Sequence, residues 1–195
     1  MHPELLLLIG ISFSMGFTPG PNNAVASYSA FNFGVRKTLP IILGVGFGYT
    51  ILVILLIFVL ISVFQKYTYL QEIIRILGSV FLIYLAYKIS FSKNKSKSKI
   101  ENPVKFYETF FFQFINPKGV MAAITLISKF VLQENYISSS ITVIVVCSVT
   151  AFLSITSWAL LGKFLRKFAT NNEFIKRFNY AMSILLVGCV ASFYL

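Results

Sequence analysis

The side chains able to do chemistry inside this apolar chain fall in two short stretches, Phe17-Thr18-Pro19-Gly20-Pro21-Asn22-Asn23 and Gln113-Phe114-Ile115-Asn116-Pro117-Lys118-Gly119. Their chemistry is that of holding a small polar molecule: Asn and Gln amides both donate and accept hydrogen bonds, and lysine adds a point charge. Proline lacks an amide proton and clashes with the carbonyl four residues back. A straight helix would therefore leave the carbonyls of Met15, Phe17 and Gln113 free, and Gly20 adds backbone freedom between two prolines. Inside hydrocarbon such backbone is tolerated only where protein, water or a ligand satisfies it. A polar site at depth is implied. The helix restarting after Pro21 presents unpaired amides beside Asn22 and Asn23, which favours an anion. The expected binding set is Pro19, Gly20, Pro21, Asn22, Asn23, Gln113, Asn116, Pro117 and Lys118.

Lys118 is the most informative charge, because a cation near the middle of an apolar span costs at least about 2.5–3.5 kcal/mol on insertion scales. Two readings stand: it braces the break by donating to freed carbonyls, or it faces a central cavity and attracts a carboxylate or changes protonation. The second is adopted here. Asn22, Gln113 and Asn116 either bind a zwitterion or brace the kinks. Tyr49 and Trp158 could line a cavity, but lipid or core packing is the reading adopted for each; Glu108 reads as interfacial, on the side where a proton acceptor would stand.

Bond-making chemistry has little to work with. The chain has no aspartate, its lone histidine is His2, and all six carboxylates are Glu. No Ser/His/Asp set, paired-carboxylate site or metal cluster can be assembled. No catalytic residue, metal or cofactor is expected. Cys147 and Cys189 stand far apart and read as small buried or lipid-facing residues. Moving a solute is what remains.

The elements that must position these residues are membrane spans. Mean hydropathy is +0.81 and only 12% of the 195 residues are charged, about half the usual share for a soluble domain. Six apolar segments are expected: 4–33 with a break, 39–64, 70–91, 106–132 with a second break, 137–161 and 174–195. The amino terminus has no basic region before its apolar run and reads as half a span, not a cleaved signal. The net charge of +11 sits in loops, so nucleic acid is not an expected partner and the lipid bilayer is. Arg36 and Lys37, the Lys-rich linker 92–105, and the Lys163–Arg177 loop are basic, whereas the intervening loops are nearly neutral. The positive-inside rule puts the basic loops in the cytoplasm and both termini outside.

The first span of each three-span half is the interrupted one, and an odd number of spans inserts the halves in opposite senses. That predicts an all-α integral membrane protein, one transmembrane domain of two inverted repeats, about 1–91 and 106–195, with the site between the broken helices. Gly44, Gly46 and Gly48 predict close helix packing, as do Gly188 and Ser192. Gly34 predicts a helix cap.

Thr18-Pro19-Gly20-Pro21-Asn22-Asn23, Gly34-Val35-Arg36, the Gly44/Gly48 pair and Asn116-Pro117-Lys118 resemble the LysE/RhtB family of amino-acid exporters across essentially the whole chain. Within it, the Pro-Gly-Pro-Asn-Asn form and the Gln113-Phe114-Ile115-Asn116 approach are most similar to the cysteine/O-acetylserine exporters. Tyr49 departs from the polar or acidic residue many members carry after the glycine at Gly48. The resemblance implies efflux of small amino acids across a bacterial inner membrane, with the proton gradient as drive; exposed small-residue faces permit a homodimer. The expected mechanism is alternating access, with the substrate carboxylate on the amides after Pro21 beside Lys118 and its ammonium on the carbonyls near Met15, Phe17 and Gln113. Two rivals are kept: a six-span thiol carrier, which would need paired cysteines beside the breaks, and a passive channel or structural subunit.

Overall fold

The computed structural model describes residues 3–60, 69–90, 104–169 and 171–194, so Lys66 and most of the basic linker lie outside the described residues. The elements are α1 (Pro3–Phe17), α2 (Pro21–Phe33), α3 (Val35–Leu55, prolonged by a π-turn over Leu56–Leu60), α4 (Tyr69–Ser90), α5 (Phe106–Ile115), α6 (Pro117–Phe130), α7 (Tyr136–Arg166) and α8 (Asn172–Ala191). No strand occurs among the described residues. Both interruptions fall at the prolines. Gly20 is extended between α1 and α2, and Asn116 is extended between α5 and α6, whose axes bend by 58°. Proline at the first position of α2 and of α6 explains why helix restarts there: its missing N–H is one the helix could not have used.

Four stretches are long and apolar enough to cross a bilayer: Val35–Val59, Glu72–Ser90, Gln133–Arg166 and Asn172–Ala191. The α5–α6 pair makes a fifth if it is one span. By length and composition the described residues thus give four or five of the six expected crossings, because the first broken pair falls short. Helix α1 is apolar but has only 15 residues, and α2 carries Asn22, Asn23, Ser27, Ser29 and Asn32. Those polar side chains are spent inside the protein. Asn22 pairs with Gln113, Asn23 bonds Gly16 O, Ser29 Oγ accepts from Thr38, and Asn32 donates to Asn179.

The buried residues form two apolar clusters. One gathers Ala24, Tyr28, Ile41, Val45, Leu85 and Ile155 around α2; the other gathers Leu8, Val53, Ile57, Val120, Leu126 and Val143 around α6. Helices α3 and α7 run antiparallel through both, α3 giving its early residues to the first cluster and α7 its late ones. Outward, large apolar residues repeat along α4 (Ile76, Val80, Ile83, Tyr87) and α7 (Ile141, Val145, Val149, Leu153), all half exposed or more. Such faces suit lipid.

Glycines set the helix approaches. A Cβ on Gly48 would lie 2.6 Å from Phe110 O, one on Gly44 2.5 Å from Phe106 O, and one on Gly162 would collide with Ser27 O. These seams dock α3 on α5 and α7 on α2. Gly34, at φ 84°, ends α2 through its N–H to Ala30 O, and α3 starts at the next residue. The expectation of close packing at Gly188 is corrected: a Cβ there would meet nothing within 4 Å.

Candidate functional site

The α1–α2 break leaves five successive carbonyls, and each has a protein donor. Met15 O accepts from Thr18 Oγ1 at 2.8 Å, and Gly16 O accepts from Asn23 Nδ2 at 2.9 Å and Ser154 Oγ at 2.7 Å. Phe17 O accepts from Trp158 Nε1 at 3.2 Å. Thr18 O takes Asn23 Nδ2 and Lys118 Nζ, both at 3.0 Å, and Pro19 O takes Lys118 Nζ at 3.1 Å. The expectation that the Met15 and Phe17 carbonyls are free for an ammonium is therefore corrected. Trp158 is corrected too, from packing residue to hydrogen-bond donor.

Lys118 crosses from the second break to the first. Its three ammonium hydrogens match three acceptors, the third being Thr18 Oγ1 at 2.9 Å. Gly20 makes the crossing possible, since a Cβ there would lie 2.7 Å from Lys118 Nζ and 3.1 Å from its Cδ. A second strap joins the breaks beside it. Asn22 Nδ2 donates to Gln113 Oε1 at 2.8 Å, and Gln113 Nε2 returns a bond to Asn22 Oδ1 at 3.2 Å while holding Thr109 O at 2.7 Å. Gln113 is fully buried, so this reciprocal amide pair replaces water that Gln113 cannot reach.

A cavity of about 90 Å³ lies between the two apolar clusters, lined by Pro21, Asn22 and Asn23 at the start of α2 and by Asn116, Lys118 and Gly119 at the start of α6. That is room for a few waters, hence for a molecule of a few heavy atoms. Two helix starts reach it, and their first-turn amides have no intrahelical acceptor; in α2 the first such bond is Ala24 N–H to Gly20 O. Asn116 is 2% exposed, and its Oδ1 is buried with no donor. An unmet buried acceptor costs about 1–3 kcal/mol. The cavity thus offers amides and a nearby cation for an anionic group, while the one unmet acceptor, Asn116 Oδ1, is buried in its wall. No acidic side chain lines it among the described residues.

Of the expected set, Gly20, Pro21, Asn22, Asn23, Asn116 and Lys118 line this cavity. Pro19 and Pro117 face a second cavity on the other side of the Lys118 bridge, and Gln113 reaches the site only through Asn22. Tyr49, expected as a packing residue, lines the inner cavity, as does Cys147; Cys189 lines the other, and both thiols are free. Sequence reasoning missed Thr18 and Ser154, and it missed Gly78, where a Cβ would lie 2.7 Å from Pro117 Cδ. The one available signal was the stripe Cys147, Thr150, Ala151, Ser154 and Trp158 on one face of α7.

The chain is similar to the cysteine/O-acetylserine efflux proteins of Escherichia coli strain K12, Shigella sonnei strain Ss046 and Shigella flexneri. Each is 28% identical over 173 residues, 88% of this chain and 88% of the relative. No solved structure matches it. The LysE type translocator family matches residues 13–195, with both breaks, both straps and all of the inner cavity's lining but Ser12 inside the matched region; the chain belongs to that family.

Proposed function

We propose that the chain is a secondary transporter that exports a small neutral amino acid, of the cysteine or O-acetylserine kind, through the inner membrane of a bacterium. In this reading the protein is one transmembrane domain of six crossings, with α1–α2 and α5–α6 each making one. The halves are inverted repeats, and protons drive the cycle. Support comes from the family and from the efflux activity named for its relatives. The placement of one apolar cluster around α2 and the other around α6, threaded by antiparallel α3 and α7, agrees with inverted halves.

The observation that carries the site is a cavity served by two helix starts and bordered by the Lys118 side chain, with the orphaned Asn116 Oδ1 buried in its wall. The substrate carboxylate meets the first amides of α2 with Lys118 supplying positive potential, and the ammonium draws Asn116 Oδ1 out of the wall, where it gains the donor it lacks. This replaces the Met15 and Phe17 carbonyls, which have donors of their own. Lysine or arginine is a poor cargo, since its second cation would approach Lys118 with no carboxylate in the lining. The small volume disfavours bulky side chains for the same site.

The test is radiolabelled efflux from cells loaded in turn with cysteine, O-acetylserine, threonine and lysine. Cysteine or O-acetylserine should leave fastest and lysine slowest. An Asn22→Ala, Lys118→Ala double variant present at normal abundance should lose at least about tenfold in rate, equivalent to roughly 1.4 kcal/mol. Undiminished export by that variant removes the site.

A further inference from the structure

The second cavity, about 440 Å³, is lined by Arg75, Lys118, Thr18, Thr125, Ser192 and Cys189, among others. Lys118, Met15 and Ala122 line both cavities, so the partition between them is in places one side chain thick. That side chain is the Lys118 bridge: its acceptors Thr18 and Pro19 belong to the second cavity, while Gly20, over which it passes, belongs to the first. No carboxylate lines the second cavity among the described residues, but two cations do. Arg75 is held in place from two sides, by Glu72 Oε2 at 2.9 Å from Nη1 and by the Tyr194 ring, 5.6 Å from its guanidinium carbon. One carboxylate bond leaves most of a guanidinium's five donors unspent.

We propose that this second cavity is a vestibule that accepts the same amino acid by its carboxylate, with Arg75 as the terminal cation and Lys118 shared between vestibule and inner cavity. The proposal rests on the inner-cavity reading above and adds a second position on the path. The hydroxyls of Thr125 and Ser192 suit the remaining carboxylate lone pairs, and the planar guanidinium suits a bidentate grip. A carboxylate leaving the inner cavity would meet no acidic side chain, and it would exchange one cation for another across the Lys118 bridge. Specificity here is for the carboxylate; the cavity is too roomy to read the side chain.

The two cysteines make the vestibule testable, because one lies in each cavity. In the chain reconstituted in phosphatidylcholine nanodiscs, labelling of Cys189 by a sulfonate-bearing and a trimethylammonium-bearing methanethiosulfonate is followed by peptide mass spectrometry, which resolves it from Cys147, while binding of radiolabelled O-acetylserine is measured separately. The anionic reagent should react several-fold faster than the cationic one, and O-acetylserine should slow both. Arg75→Gln should bring the two rates together and abolish the protection, while radiolabelled O-acetylserine still binds; Arg75→Lys should retain part of each effect. Binding without protection of Cys189 overturns the vestibule and leaves the inner site standing, whereas no binding at all overturns the inner-site reading. Protection that survives Arg75→Gln, a Cys189 that neither reagent reaches, or protection by added phosphatidylglycerol in place of O-acetylserine each overturns the proposal as well.

Discussion

Gly20 shows how much of the site depends on an absent side chain. Its backbone is extended, at φ −167° and ψ 174°, which any residue adopts, so alanine there introduces no backbone strain. The alanine Cβ would instead sit 2.7 Å from Lys118 Nζ, and the flexible ammonium end would withdraw from Thr18 and Pro19. Gly20→Ala should therefore fold and insert normally yet lose at least about tenfold in export, the equivalent of roughly 1.4 kcal/mol. Gly10→Ala, where a Cβ meets nothing within 4 Å, should be silent in the same efflux assay. Equal rates for the two variants would show that the Lys118 bridge does not matter to transport. The residue types at both breaks were legible in sequence because proline and glycine act on the backbone within four residues. Their partners were not: Ser154 and Trp158 reach the first break across more than 130 residues. Nothing local distinguishes a serine that caps a distant carbonyl from one that bonds its own helix.

Helices α3 and α5 carry the breaks into register through the Gly44 and Gly48 seam. Adding a Cβ at Gly48 presses on Phe110 O at 2.6 Å and on Gln113 Cγ at 2.9 Å, so the backbone of α5 has to move and Gln113 with it. Overpacking of this kind costs about 1–3 kcal/mol. Gly48→Ala should lower the thermal midpoint in detergent and, by tilting Gln113 away from Asn22, weaken radiolabelled O-acetylserine binding. Gly188→Ala, facing open space, should leave both unchanged. If Gly48→Ala keeps the wild-type midpoint, the seam is looser than its spacing implies. Span boundaries were read within a few residues for α4 and α8, where apolar runs end in charge. Helix α7 extends to Arg166, five residues past the expected end, because Lys163 and Arg166 are good helix formers. Helix α2 is the least legible element by hydropathy, which counts its Asn and Ser residues as cost while the structure pairs Asn22, Asn23, Ser29 and Asn32 within the protein.

At the scale of the whole molecule, charge and packing agree on an axis. Arg166 lies over the Phe31 ring at 5.3 Å, and Phe31 stacks on Phe178 at 3.8 Å. This brings the end of α2, the end of α7 and the start of α8 to one pole, with Arg36, Lys37, Lys163, Lys176 and Arg177 in the adjoining segments. The opposite pole joins the end of α3 to the start of α7, through Tyr136 Oη donating to Ile57 O at 2.8 Å, and has few basic residues beyond Arg75 and Lys129. The positive-inside rule assigns the first pole to the cytoplasm. Ser192 and Phe193, near the carboxyl terminus, line the second cavity together with Arg75, so whichever side of the membrane holds that terminus also holds the cavity. A carboxyl-terminal alkaline phosphatase fusion should then be active in a bacterial host, and a fluorescent protein at the same site should stay dark. A fluorescent fusion would turn the molecule over, and the vestibule would become an entry chamber loaded from the cytoplasm. In either orientation, the Lys118 bridge stands between the two cavities.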